Sequence, residues 1–127
     1  MKLIIKSDGI DPDDNLAHYT LVAENDSYKG TGEFFQYADV FREFAQELLA
    51  FPFESKLPVC LDATDQGVMI EVSLKDLAGA VACTCSAASD GGQMSFTDSV
   101  EVEALHHAAR KLLAADFSSP CVLKLEL

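Results

Sequence analysis

The chain has 127 residues, of which 49% are hydrophobic, 21 are acidic and 9 are basic, giving a formal net charge of −12. This length and apolar content fit one domain with a buried core and exclude a disordered chain. The acidic excess disfavours nucleic acid and anionic membrane surfaces as partners, and no apolar run reaches the ~18 residues of a membrane span. The start, residues 1–6, is too short for a signal peptide. We therefore expect a single domain over residues 1–127, located in the cytoplasm.

Hydrophobic periodicity predicts eight strands and two helices. In chain order, the predicted elements are strands at 1–6, 16–24 and 28–35, a helix over 40–49, strands at 57–61, 67–74, 77–87 and 93–97, a helix over 100–115 and a strand at 121–127. Each helix has one apolar face that requires a sheet to cover it. The predicted fold class is therefore α+β, with mostly antiparallel sheet and two amphipathic helices packed against it.

Breakers and capping residues separate these elements. Residues 7–15 are rich in Asp, Gly and Pro and are predicted to form a loop. Gly30 and Gly32 weaken the third strand and indicate a bulge. Asp39 is the predicted N-cap of the first helix. Before the second helix, the residues Asp98 and Glu101 resemble a capping box.

The two halves of the chain, 1–64 and 65–127, share the order β-β-β-α-β. At an offset of 64 residues the apolar positions of the two helices coincide, pairing Phe41 with Leu105, Phe44 with Ala108 and Leu48-Leu49 with Leu112-Leu113. Duplication of one unit would produce this pattern. Two unrelated halves with the same order of apolar and polar positions would produce it as well. The sequence therefore predicts a pseudo-repeat without deciding its origin.

Four cysteines stand in apolar, strand-like surroundings: Cys60, Cys83, Cys85 and Cys121. Nothing directs the chain to an oxidising compartment, where disulfides persist. Cys83 and Cys85 lack the two-residue spacer of redox and zinc pairs, and no His is spaced to complete a zinc site. We expect four packed thiols and no bound metal.

No motif for nucleophilic, phosphate-binding or dinucleotide-binding chemistry occurs in the chain. His106 and His107 are adjacent on a predicted helix, so they point about 100 degrees apart and do not share a metal ion. His18 lies in a predicted strand without a recognisable partner. We predict no catalytic residue and no cofactor.

The segment 11–15 has aspartate and asparagine at the first, third and fifth positions, as in an EF-hand loop. Its sixth position, where that loop needs glycine, is Leu16, and its twelfth, where it needs glutamate, is Val22. A solvated turn is therefore the prediction. Its carboxylates are candidates for contact with a basic partner: Asp11, Asp13 and Asp14.

Seven aromatic residues surround the first helix: Phe34, Phe35, Tyr37, Phe41, Phe44, Phe51 and Phe53. The favoured interpretation is that they build the main core between this helix and the sheet. Tyr37 and Phe53, at the two ends of the helix, are candidates to reach the surface. Aromatic anchors inside a polar rim are typical of binding hot spots.

The chain resembles the immunity proteins paired with WapI-type contact-dependent toxins of bacteria. The resemblance is a pattern of apolar positions that covers most of the chain, from Gly32-Glu33-Phe34-Phe35 into 40–49, through 59–61 and 67–72, to Ser95-Phe96-Thr97-Asp98 and on to Leu113. It implies a protein that binds and neutralises a toxin domain made by the same cell. Because toxins that cut RNA are often basic, an acidic inhibitor would mimic phosphate and associate quickly.

Two other function classes remain open. A homo-oligomeric structural or adaptor domain explains the surplus of apolar residues and predicts a concentration-dependent dimer, since its edge strands would pair. A small-molecule-binding protein, or an enzyme whose site leaves no linear trace, predicts a concave pocket with convergent polar groups.

Overall fold

The computed structural model describes residues 1–51, 58–75, 80–89 and 92–127. Within these ranges, eight strands form two antiparallel four-stranded sheets, and two helices complete an α+β fold as predicted. The elements are β1 (Lys2–Ile10), β2 (Ala17–Glu24), β3 (Lys29–Gln36), α1 (Val40–Ala50), β4 (Val59–Ala63), β5 (Val68–Leu74), β6 (Val81–Ser89), β7 (Gly92–Val100), α2 (Val102–Ala114) and β8 (Cys121–Glu126).

The strand order reflects the predicted repeat. Sheet A has the order β3-β2-β1-β8, and sheet B, read in the matching direction, has the order β7-β6-β5-β4. Each half therefore places its first three strands in one sheet and its last strand in the other. Positions that are buried in both halves coincide at the offset of 64, pairing Tyr19 with Cys83, Leu21 with Cys85, Phe41 with Leu105, Phe44 with Ala108, Ala45 with Ala109, Leu48 with Leu112 and Leu61 with Leu125.

The core lies between the inner faces of the two sheets and the helix pair. Strand β3 packs against β6, while α1 and α2 pack against each other and against β4 and β8, respectively. In sheet A, Tyr19 on β2 contacts the rings of Phe34, Phe41 and Phe117. Aromatic rings from a strand, a helix and the segment before β8 therefore meet at one place.

The glycines of β3 have a different role from the predicted bulge. β3 pairs with β2 from end to end without a register shift, so the predicted bulge is wrong. A Cβ atom on Gly32 would lie 2.6 Å from Cγ2 of Val68 in sheet B. Real Cβ atoms do not approach so closely, so glycine at this position allows the two sheets to touch.

Strand β1 is longer than predicted, because it includes part of the predicted loop 7–15. Ser7 points into the core, where its Oγ donates a hydrogen bond to the Phe117 carbonyl at 2.7 Å. The pairing with β2 shifts register between Ser7 and Ile10, with Gly9 at a φ of 88°. This polar segment can remain in the sheet because the Ser7 hydroxyl is hydrogen-bonded and Gly9 adopts the positive φ that the register shift requires.

The predicted helix cap is in the right position for α1 and in the wrong position for α2, and neither N-cap side chain makes a capping hydrogen bond. Asp39 is the N-cap residue of α1, yet its side chain makes no capping hydrogen bond. The N-cap residue of α2 is Glu101, also without a side-chain cap. Asp98 lies inside β7 and accepts a hydrogen bond from Asn25 Nδ2 at 2.9 Å, so the predicted capping box is wrong.

All four thiols are free, as expected: Cys83 and Cys85 are buried, and Cys60 and Cys121 are half-buried. Burial raises the pKa of the Cys60 and Cys121 thiols, which keeps them in the weakly nucleophilic protonated form. Among the described residues, no group of three or more His, Cys, Asp or Glu side chains is placed to hold a metal ion. Neither described helix has the length and apolar character needed to cross a bilayer.

Candidate functional site

A cleft of about 450 Å³ opens at the start of α1, between the β1–β2 loop and the connection from β3 to α1. We call it the α1 cleft; its lining residues are Ile10, Asn15, Gln36, Tyr37, Ala38, Asp39, Val40 and Glu43. This lining combines aromatic and aliphatic surface with two carboxylates and includes no lysine or arginine. Such a cleft fits a cationic side chain that has an apolar stem.

The loop on one side of the cleft is held by its own side chains. The backbone N–H of Asp13 donates to Asp11 Oδ1 at 2.9 Å, and that of Leu16 donates to Asp14 Oδ1 at 3.0 Å. Asn15 has a φ of 61°, and its N–H donates to the Asp11 carbonyl at 2.8 Å. Asp11 and Asp14 therefore each use one carboxylate oxygen to brace the loop and keep the other for solvent or a partner.

Tyr37 combines an exposed ring with a fixed backbone. Its side chain is 56% exposed, while its carbonyl accepts hydrogen bonds from the Tyr19 hydroxyl and the Val40 N–H, both at 3.2 Å. Burial raises the pKa of Tyr19, so this hydroxyl remains a donor throughout the physiological range. A fixed backbone reduces the entropy that is lost when a partner covers the Tyr37 ring.

Asp39 and Glu43 supply the negative charge of the cleft wall. Both carboxylates are exposed, and the Glu43 N–H donates to the Asp39 carbonyl at 3.1 Å within the first turn of α1. The dipole of a helix favours negative charge at this end. Arg42 lines a neighbouring groove on the other side of Asp39. The helix start therefore holds two acids at the cleft, where no lining residue neutralises them.

Of the predicted contact residues, Tyr37 lines the α1 cleft, whereas the carboxylates of the 11–14 loop do not. The two ends of that loop, Ile10 and Asn15, reach the cleft because β1, β2 and β3 are consecutive antiparallel neighbours. Phe53 lies outside the described residues. Asp39 and Glu43 were not among the predicted contacts, and Asp39 was predicted only as a helix cap.

The aromatic cluster divides between core and surface. Phe34, Phe41, Phe44 and Phe51 are buried, as the core interpretation predicts. Phe35 and Tyr37 are more than half exposed. The exposure of Phe35 is predictable from the alternation of side chains along a strand, because its neighbour Phe34 faces the core.

A second cleft, of about 380 Å³, opens at the start of α2. This α2 cleft is lined by Ala80, Val81, Ser99, Val100, Glu101, Val102 and Glu103. At the offset of 64 residues, Glu101 takes the place of Tyr37, and Glu103 takes the place of Asp39. The two clefts are therefore equivalent in position, and both are acidic, but only the α1 cleft has an aromatic ring in its lining.

The interpretation of His18 as a residue without partners is wrong. Its Nδ1 lies 2.6 Å from Asp8 Oδ2 and its Nε2 lies 3.6 Å from Glu33 Oε1, on the outer face of sheet A. The hydrogen bond with His18 lowers the pKa of Asp8. Within the described ranges, no hydroxyl or thiol hydrogen-bonds to the imidazole. The arrangement is a cross-strand charge cluster without a nucleophile.

Searches against protein-family models, curated proteins and solved structures give no match to this chain. The features of the chain that bear on its function are therefore the two clefts, its charge and its exposed side chains.

Proposed function

We propose that this chain is an acidic protein-binding domain that neutralises a basic toxin domain, in the manner of a WapI-type immunity protein in the bacterial cytoplasm. The observation that carries the proposal is the α1 cleft, in which the exposed Tyr37 ring stands beside Asp39 and Glu43. The net charge of −12 supports it, since such a charge accelerates association with a basic partner.

Each part of the cleft has a distinct task in this proposal. The carboxylates of the Asp11–Asp14 loop attract a basic surface over a distance of about one Debye length. The Tyr37 ring then packs against the stem or guanidinium face of an arginine, while Asp39 and Glu43 pair with its charge. Toxin activity is blocked because carboxylates occupy the basic groove that otherwise holds substrate phosphates.

The experiment compares three tagged baits in lysate of the native cell: the wild type, Asp39→Lys and Glu103→Lys. The two variants change the net charge equally and lie at equivalent positions in the α1 and α2 clefts. We expect wild type and Glu103→Lys to retain the same basic protein, which elutes as salt rises, and Asp39→Lys to lose it.

The captured protein is then expressed alone and together with each variant. The proposal requires that it arrest growth alone, and that wild type and Glu103→Lys restore growth while Asp39→Lys does not. A captured protein that is harmless when expressed alone, or that all three baits retain equally, overturns the proposal.

A further inference from the structure

Three of the four edge strands formed by the described residues are short, capped or covered. On β3, the Phe35 N–H donates to Gln66 Oε1 at 2.6 Å, and Gln66 Nε2 donates to the Phe35 carbonyl at 2.9 Å. The side-chain amide thus takes the place of an additional strand. On β8, Lys111 Nζ from α2 donates to the Lys124 carbonyl at 2.8 Å. β4 has only five residues and α1 packs beside it.

The fourth edge strand, β7, has none of these protections from the residues that the structure describes. It spans nine residues and pairs with β6 along its whole length without a register shift. Its outward side chains at Gln93, Ser95, Thr97 and Ser99 are uncharged. Ser95 and Thr97 hydrogen-bond to the β6 side chains beside them. Within the described part of the chain, no residue hydrogen-bonds to the β7 backbone on its free side. Soluble proteins usually protect such an edge with charge, proline or a bulge.

An exposed aromatic ring lies beside this edge. Tyr28, in the turn before β3, is 54% exposed and stacks on Phe96 of β7, with ring centroids 6.1 Å apart and an interplanar angle of 13°. The single acid of β7, Asp98, lies on the same side of the strand as Phe96 and is bonded to Asn25. The free edge therefore combines unpaired peptide groups with a nearby aromatic ring. Its outward side chains are uncharged, and Lys75 Nζ donates to Ser99 Oγ at 3.1 Å.

We propose that β7 is the contact strand of a homodimer, in which two copies pair antiparallel about a two-fold axis. This pairing joins the two B sheets into one eight-stranded sheet. An isologous strand pair satisfies its own free peptide groups, because every second residue both donates to and accepts from its counterpart in the partner copy. Charge makes β7 the edge at which a second copy meets little repulsion: two chains of −12 repel each other wherever acids are exposed, and the outward side chains of β7 include no acid.

The experiment is sedimentation velocity of the full chain from about 5 to about 500 µM, a range in which mass action reveals micromolar association. We expect a shift from the 13.7 kDa monomer to a species of twice that mass. Hydrogen exchange of the β7 amides is expected to slow over the same range, while that of the β3 amides stays unchanged. A wild type that remains monomeric, or that dimerises without slower exchange in β7, overturns the proposal.

Two matched variants identify the edge. Ser95→Glu places a carboxylate beside the two-fold axis in each copy and is expected to weaken the dimer about ten-fold or more. Thr31→Glu makes the same change in charge at the equivalent position on β3, the edge capped by Gln66, and leaves the dimer unchanged. Tyr28→Ser, on the turn before β3, removes the ring stacked on Phe96 and is expected to weaken the dimer while the sequence of β7 stays unchanged. Equal weakening by Ser95→Glu and Thr31→Glu contradicts the assignment.

Discussion

The α1 and α2 clefts occupy equivalent places in the two halves of the chain, but they differ in the chemistry of their walls. Each opens where a three-stranded meander leads into a helix. The α1 cleft has Tyr37 and Asp39 where the α2 cleft has Glu101 and Glu103. The repeated topology therefore determines where a cleft forms, and the exposed side chains determine the chemistry of its walls.

Tyr37 is the most informative of these differences. An exposed aromatic ring adds little to the stability of a monomer, and a glutamate occupies the equivalent position in the other half without disturbing the fold. The buried positions, in contrast, remain apolar in both halves. This difference supports the role in recognition that we propose for Tyr37.

The largest expected effect tests whether the buried helix positions of the two halves contribute equally to the stability of the fold. Phe41→Ala removes a ring that contacts Tyr19, Phe34 and Phe117 and should lower the free energy of unfolding by about 3–5 kcal/mol. Its counterpart, Leu105→Ala, should lower it by about 2–5 kcal/mol. Because each half gives a strand to the other sheet, both variants should unfold in one transition in urea, followed by circular dichroism. Two separate transitions would contradict this coupling of the halves.

The next effect concerns the contact between the sheets. Gly32→Ala forces a methyl group against Val68 and should destabilise the fold by about 1–3 kcal/mol, as overpacking does. Gly30→Ala is the matched control, since its Cβ would meet Ala87 at an ordinary 3.4 Å. Urea midpoints of the two variants measure the difference. An equal loss of stability in both variants would show that the replacement of a strand glycine, and not the close approach to Val68, causes the effect.

A smaller effect distinguishes the two clefts chemically. An acetylated arginine amide, titrated against isotope-labelled protein, should shift the amide signals of residues 37–43 more than those of residues 99–103. Asp39→Asn should weaken this binding about ten-fold, or ~1.4 kcal/mol, because a charge-assisted hydrogen bond is lost. Glu103→Gln should leave it unchanged. Equal weakening by both variants would mean that the probe responds to overall charge and not to the α1 cleft.

The helices and strands were largely predictable from the sequence because the spacing of apolar residues along each of them is a local property. The buried helix positions Phe41, Phe44, Leu105 and Leu112 follow from a 3.6-residue repeat that needs no tertiary knowledge. The extension of β1 through Ser7 was not predictable, since it depends on a carbonyl at Phe117 that is distant in sequence.

The composition of the α1 cleft was only partly predictable. The exposed loop and Tyr37 were recognisable as polar and aromatic anomalies in their segments. Their proximity depends on the order of the strands, and the free carboxylate of Asp39 depends on a cap that does not form. Sequence periodicity contains neither kind of information, so Asp39 and Glu43 were identified only from the structure.

The smallest expected effect is a pH dependence that only the first half should show. His18 corresponds to Ala82 at the offset of 64, so sheet B lacks the contact that lowers the pKa of Asp8. In His18→Ala, the midpoint of the Asp8 carboxyl titration should rise toward the ordinary value of about 3.9. Carboxyl-carbon resonances followed from about pH 2 to about pH 6 measure it.

The sign of the linked stability follows from the direction of that shift. Because the pKa of Asp8 is lower in the folded than in the unfolded chain, its contribution is complete above the unfolded value and is lost as the pH falls through the folded one. The stability difference between wild type and His18→Ala should therefore shrink below about pH 4. Asp116 is the internal control: hydrogen bonds from Ser118 lower its pKa, so its titration should not respond to His18→Ala. A shift of both carboxyls would assign the effect to overall charge rather than to the Asp8–His18 contact.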